Sequence, residues 1–168
     1  MTAFVVDSNV AIVANGCDTH ADIQCQLTCV EKVRSVLQHG VVVIDDDGEI
    51  LKEYGRQLKI QQKKGRGMSG VGNEFFIHLF NHQYSNHRVR RIAITKSADD
   101  RRGYDQLPEN TLDRSDRKFL AVAVVAKAVL LNATDSDWDE QKALIEKVGV
   151  ELDQLCPQHA SKATRRRQ

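Results

Sequence analysis

Nowhere does the chain carry the run of about 18 apolar residues that a membrane helix needs. The opening segment, MTAFVVDSNV, also lacks the basic start and long apolar stretch of a secretory signal, because its apolar run stops at Asp7. Both absences lead to the expectation of a cytoplasmic protein without a membrane partner, whose four cysteines are reduced thiols. Net charge is nearly absent as well: 24 Lys plus Arg oppose 23 Asp plus Glu. No global basic field therefore marks a nucleic-acid partner, and any such binding must rest on local patches. There is no internal repeat. The length of 168 residues suits one core, so residues 1–155 are expected to form a single domain and residues 156–168, ending in Arg165, Arg166 and Arg167, a flexible basic tail.

What is present is an alternation of short apolar runs and helical patterns. Ala3 to Val6 ends at an aspartate; Val41 to Ile44 precedes Asp45, Asp46 and Asp47; Val129 to Leu131 precedes Asn132, Thr134 and Asp135. Runs of this kind suit strands buried on both faces, as in a parallel sheet covered by helices. Between His20 and Gln38, the spacing of Ile23, Leu27, Val30, Val33 and Leu37 predicts one helical face. Further helices are expected over Gly48 to Gln61, Glu74 to Gln83, a Ser115-capped segment through Ala128, and Trp138 to Lys147. Arg91 to Thr95 and Val150 to Leu152 read as more polar or edge strands. Lys63 to Gly72 and Ser97 to Arg114 read as loops. The fold class that follows is α/β, a three-layer α/β/α sandwich with a central, mostly parallel sheet.

Right-handed crossovers place the carboxyl ends of parallel strands along one edge of the sheet. Asp7 and Asp135 each stand just beyond a predicted strand and should emerge there together. Glu53, two turns into the helix after the second strand, can look back over that edge, and Asp116 opens the long apolar helix that feeds the third strand. Convergent carboxylates suit hard divalent cations such as Mg²⁺ or Mn²⁺. Taken singly, each of these acids is more simply a helix cap, a turn residue or a solvated surface group. Their joint placement makes the metal reading the stronger one.

These residues carry a resemblance. FVVDSNV, with Asp7, Ser8 and Asn9, resembles the first motif of the PIN-like family of metal-dependent nucleases. VVVIDDDGEILKEYGRQL is similar to the second strand and the glutamate-bearing helix, and DRSDRKFLAVAVVAKAVLLNATDSDW to the third and fourth acidic motifs. The resemblance implies a PIN-like fold and a Mg²⁺- or Mn²⁺-dependent endonuclease acting on RNA more often than DNA. It implies catalytic, metal-binding acids at Asp7, Glu53, Asp116 and Asp135, with Asp137 as an outer or alternative ligand. Ser8, Asn9 and Thr134 would orient the carboxylates. The family's usual threonine stands two positions before the last acid, whereas Thr134 directly precedes Asp135, which leaves Asp135 and Asp137 as alternatives. A toxin with its antitoxin, a defence or RNA-processing effector in a larger assembly, and a homodimer are all compatible with the family. So is a PIN-like scaffold subunit without activity.

Basic residues at Lys63, Lys64, Arg66, Arg88, Arg90 and Arg91 are candidate phosphate contacts around the acids, with Arg101 and Arg102 beyond them, although charge runs usually only solvate a surface. Other patterns are weaker. Gly65, Gly67 and Gly70 fit GxGxxG but follow a helical segment where a dinucleotide site requires a strand. Cys17, His20, Cys25 and Cys29 hold zinc-ligand types without the spacing of paired knuckles, and Cys25 and Cys29, one turn apart, would pack as small apolar groups. His78 and His82 share a helix face but lack the glutamate of a zinc-protease helix. With His87, they read as surface residues or as phosphate neighbours.

Overall fold

The computed structural model describes residues 1–18, 20–58 and 70–160. Strand β1 (Ala3–Val6) leads into helix α1 (Ser8–Ala14), followed by α2 (Ile23–His39), β2 (Val41–Asp45) and α3 (Glu49–Gln57). Helix α4 (Val71–His82) precedes β3 (Val89–Ile92), and α5 (Arg117–Ala126) precedes β4 (Val129–Asn132). Two short helices, α6 (Ser136–Glu140) and α7 (Lys142–Lys147), lead to β5 (Leu152–Gln154) and α8 (Pro157–Ala160).

The five strands form one sheet in the order β3-β2-β1-β4-β5, with every pairing parallel. Successive strand residues point to opposite faces, yet Val5 and Val6 are both fully buried, as are Val43 and Ile44. Both faces are therefore covered, and the architecture is the α/β sandwich expected from the uninterrupted apolar runs. Helix α5 packs on β1, β2 and β4, and its apolar sequence follows from that burial: Phe119 through Ala123 are fully buried. Helix α4 meets α1 at Gly72, where a Cβ would lie 2.0 Å from the carbonyl oxygen of Ala11. Only glycine permits that approach.

Several boundaries and faces differ from the sequence expectations. On α2 the buried stripe is Cys25, Cys29, Val33 and Val36, while Ile23 and Leu27 are exposed. The sequence offered two apolar stripes, and the one with the small sulfur side chains packs inward, since α2 lies close along α1 and α4. Helix α1 was not anticipated; it is short, and its apolar residues continue the run of β1. The N-cap position of helix α5 is Asp116 and not Ser115, whose hydroxyl donates to Asp113. The helix expected from Trp138 to Lys147 is two helices, and β3 and β5 are displaced by about two residues from their expected positions.

Cys25 and Cys156 form a disulfide between α2 and the residue ahead of α8, 131 positions apart. This corrects the expectation of four reduced thiols: Cys17 and Cys29 are the free cysteines. It also corrects the expected tail, because Cys156 and Ala160 are buried in the fold. Residues 161–168 lie outside the described residues, as do Lys63, Lys64, Arg66, Gly65 and Gly67. Among the described residues, no helix is long and apolar enough to cross a membrane.

Candidate metal centre

The carboxyl edge of the sheet is where β1, β2 and β4 hand over to helices, and each of those handovers puts a carboxylate at a helix start: Asp7 caps α1, Asp45 caps the first turn of α3 and Asp135 caps α6. The reason is local: an N-terminal helix turn leaves N–H groups without partners, and a short carboxylate accepts from them. Asp116, at the N-cap position of α5, comes to the same edge without a side-chain capping bond, because the helix that crosses back to β4 starts there. Oδ1 of Asp7 accepts from the amide of Asn9 at 3.0 Å, and Oδ1 of Asp135 accepts from the amide of Asp137 at 2.9 Å. Asp45, at the end of β2, accepts from Glu49 and Ile50 in the same way, with both oxygens used on α3.

Asp7, Asp116 and Asp135 converge, with one carboxylate oxygen from each lying within 4.8 Å of the others. Asp7 and Asp116 are buried and Asp135 is half-buried. Burial pushes the Asp7 carboxyl up to about 6, despite opposing hydrogen bonds from Asn9 and Trp138, with repulsion from Asp135 and Glu53 adding to the rise. Burial also drives Asp116 up to about 8, reinforced by the charges of Asp7, Asp135, Asp113 and Asp137. Carboxylates this close cannot all ionise cheaply without a cation among them. Three such carboxylates are a group that could hold a metal ion.

The other expected site residues take different places. Glu53 is buried beside the cluster but outside it: Lys118 Nζ donates to its Oε2, and Ser8 Oγ donates to its Oε1 at 3.2 Å. Asp137 is not one of the three convergent acids; it lines a neighbouring cavity of about 190 Å³ with Asp113 and Glu140. Ser8 also approaches Asp7 Oδ1 at 3.4 Å. Asn9 orients Asp7 through its backbone N–H, while its side chain donates to Asn132 Oδ1 at 2.8 Å and accepts from the amide of Ala133. Thr134 Oγ1 donates to Asp18 at 2.8 Å. Asp18 is not one of the three convergent acids, so this bond does not orient them.

The arginines do not form one rim. Arg88 precedes β3, so it lies at the amino edge of the sheet, opposite the acids, and donates to the carbonyl of Leu37. Arg91 donates to Gln83 and to the carbonyl of Asp46, and stacks its guanidinium 5.1 Å from the Tyr84 ring. Arg90 is the β3 residue paired with Val43 on β2, and is half-buried. Arg101 pairs with Asp99 and Glu109, and Arg102 donates to carbonyls at Leu107 and Asp105, so both hold the loop before α5. His78 and His82 stack at 4.5 Å on α4; burial, followed by the charge of His82, lowers the His78 pKa.

Three partners escaped sequence reasoning. Lys118, with Arg117 beside it, opens an otherwise apolar helix, and a buried lysine requires a partner; that was its available signal. Asn132 directly follows the β4 apolar run as Asp7 follows β1, and its side chain donates to the carbonyl of Asp135 at 2.8 Å. Trp138, the one tryptophan, carries no local signal of its donation to Asp7. Comparison with models of known families and with curated proteins finds no match to this chain.

Proposed function

We propose that this chain is a PIN-like, metal-dependent endonuclease that hydrolyses phosphodiester bonds, with RNA the favoured substrate over DNA. The observation that carries this reading is the convergence of Asp7, Asp116 and Asp135 at the carboxyl edge of an all-parallel sheet. Support comes also from the order of the short acidic motifs along the chain and from the raised carboxyl pKa values of two of the three acids. Bound Mg²⁺ or Mn²⁺ would supply Lewis-acid polarisation of the phosphate and a lowered pKa for attacking water.

The chain's own contribution is positional. Asn9 and Trp138 fix both oxygens of Asp7, and Asn132 holds the backbone of Asp135, so the donors are preorganised. Lys118 neutralises Glu53. A cavity of about 420 Å³ beside that pair is lined by Lys96 and Arg114 as well as Glu49 and Asp100. Lys96 and Arg114 are its candidate phosphate contacts, in place of the Arg88 to Arg91 rim.

Labelled RNA and DNA incubated with Mn²⁺, Mg²⁺ or chelator, using wild type and Asp7→Asn, form the test. Cleavage is expected only with metal, and Asp7→Asn should reduce it by about two orders of magnitude or more without unfolding. Activity surviving chelation, or unchanged in Asp7→Asn, would sink the assignment. One observation favours a second reading, a PIN-like binding or scaffold subunit: Lys118 already neutralises Glu53. On that reading no substrate is cut under any metal condition.

A further inference from the structure

Three of the four cysteines meet at one point in the interior. Cys25 and Cys29 lie one turn apart on α2, and Cys156 arrives from the other end of the chain just ahead of α8. All three are buried, and their sulfurs lie within 4.8 Å of one another. A covalent staple uses two sulfurs, and here Cys25 and Cys156 form it. The Cys29 Sγ packs 3.9 Å from the Cys156 Sγ. This third sulfur has no part in the staple. The set differs from the zinc-ligand types that stand together in the sequence, because Cys17 is exposed and outside the cluster.

We propose that the reduced chain holds one thiophilic metal ion, of the zinc or copper(I) class, on Cys25, Cys29 and Cys156, and that the disulfide is the oxidised, metal-free form of this site. Thiolate sulfur selects such ions over the hard cations suited to the acidic cluster. The interconversion balances. A dithiol reductant gives two electrons and two protons to the Cys25–Cys156 bond, becoming a disulfide itself, and leaves three thiols. Metal binding then displaces three protons to solvent. His159, a turn beyond Cys156, has its Nε2 3.0 Å from Asp22 Oδ2 and does not converge with the sulfurs, which leaves Cys25, Cys29 and Cys156 as the ligand set.

The site does not depend on the nuclease reading, and its test separates the two. The full-length chain is reduced with a phosphine, freed of reductant without air, and titrated with Cd²⁺ while sulfur-to-metal charge-transfer absorption is followed in the ultraviolet. Affinities for Zn²⁺ and Cu⁺ are then measured by competition with chromophoric chelators, which distinguishes the two ions. The expected result is one equivalent per chain in reduced wild type and in Asp7→Asn, with no charge-transfer signal from oxidised wild type. Cys29→Ser, which keeps the staple, should lose affinity by more than about tenfold. Absence of the charge-transfer band in reduced wild type would overturn the proposal. So would Cys29→Ser binding as wild type does. The wild-type measurement decides the matter even if the variant does not fold.

Discussion

The indole N–H of Trp138 donates to Oδ2 of Asp7 at 2.5 Å, joining α6 to the end of β1 across 131 residues. Charge-assisted bonds of this kind are among the stronger ones, and here the bond fixes one oxygen of a buried carboxylate. Trp138→Phe keeps an aromatic ring, of smaller volume, and removes the donor. Calorimetric titration with Mn²⁺ is expected to show affinity weakened about 10- to 100-fold, and denaturant unfolding a loss of about 1–3 kcal/mol. Unchanged metal affinity would mean that the indole serves packing alone.

The raised carboxyl pKa values at Asp7 and Asp116 have a definite sign. Each acid binds its proton more tightly in the folded than in the unfolded chain, so their contribution to stability is complete below pH 3.8 and is lost as pH rises through about 6 and about 8. Thermal melts with chelator should therefore show the contribution of this cluster falling between pH 4 and 8, and Asp116→Asn should flatten that fall. A divalent cation competes with the same protons, so the stabilisation by Mn²⁺ should grow over the same range. A metal-induced Tm shift independent of pH would contradict a ligand role for these two carboxylates.

Lys118 and Glu53 form a buried ion pair. Removing one partner leaves the other charge without compensation in the interior, which costs about 3–5 kcal/mol. Lys118→Met is therefore expected to destabilise strongly, and the double variant Lys118→Met with Glu53→Gln to recover much of the loss. Urea denaturation of the four species completes the cycle. Additive effects would show that the pair is not coupled.

The Cys25–Cys156 disulfide closes most of the chain into a loop. Reduction, or Cys156→Ser, should lower stability by about 2–5 kcal/mol in the absence of added metal, as read from guanidinium unfolding. Identical midpoints for oxidised and reduced protein would exclude a stabilising staple.

The parallel sheet was legible because Ala3–Val6, Val41–Ile44 and Val129–Leu131 are continuous apolar runs, a pattern that suits strands covered on both faces. The convergence of Asp7, Asp116 and Asp135 was legible for a related reason: parallel strands release their following residues, here Asp7 and Asp135, at one edge, and a crossover helix such as α5 begins at that same edge. The face of α2 was not, since Ile23 and Leu27 offer as good a helical stripe as Cys25 and Cys29, and the choice depends on what the helix lies against.

The order of residues by itself determined which segments are strands and that acids follow them, because side-chain periodicity and local helix capping act over a few neighbouring positions. Tertiary structure alone decided that Lys118 takes Glu53, that Trp138 holds Asp7, and that Cys156 meets Cys25. Those pairings join residues 65, 131 and 131 positions apart, and side chains at such separations meet only once the crossovers and helix packing are in place.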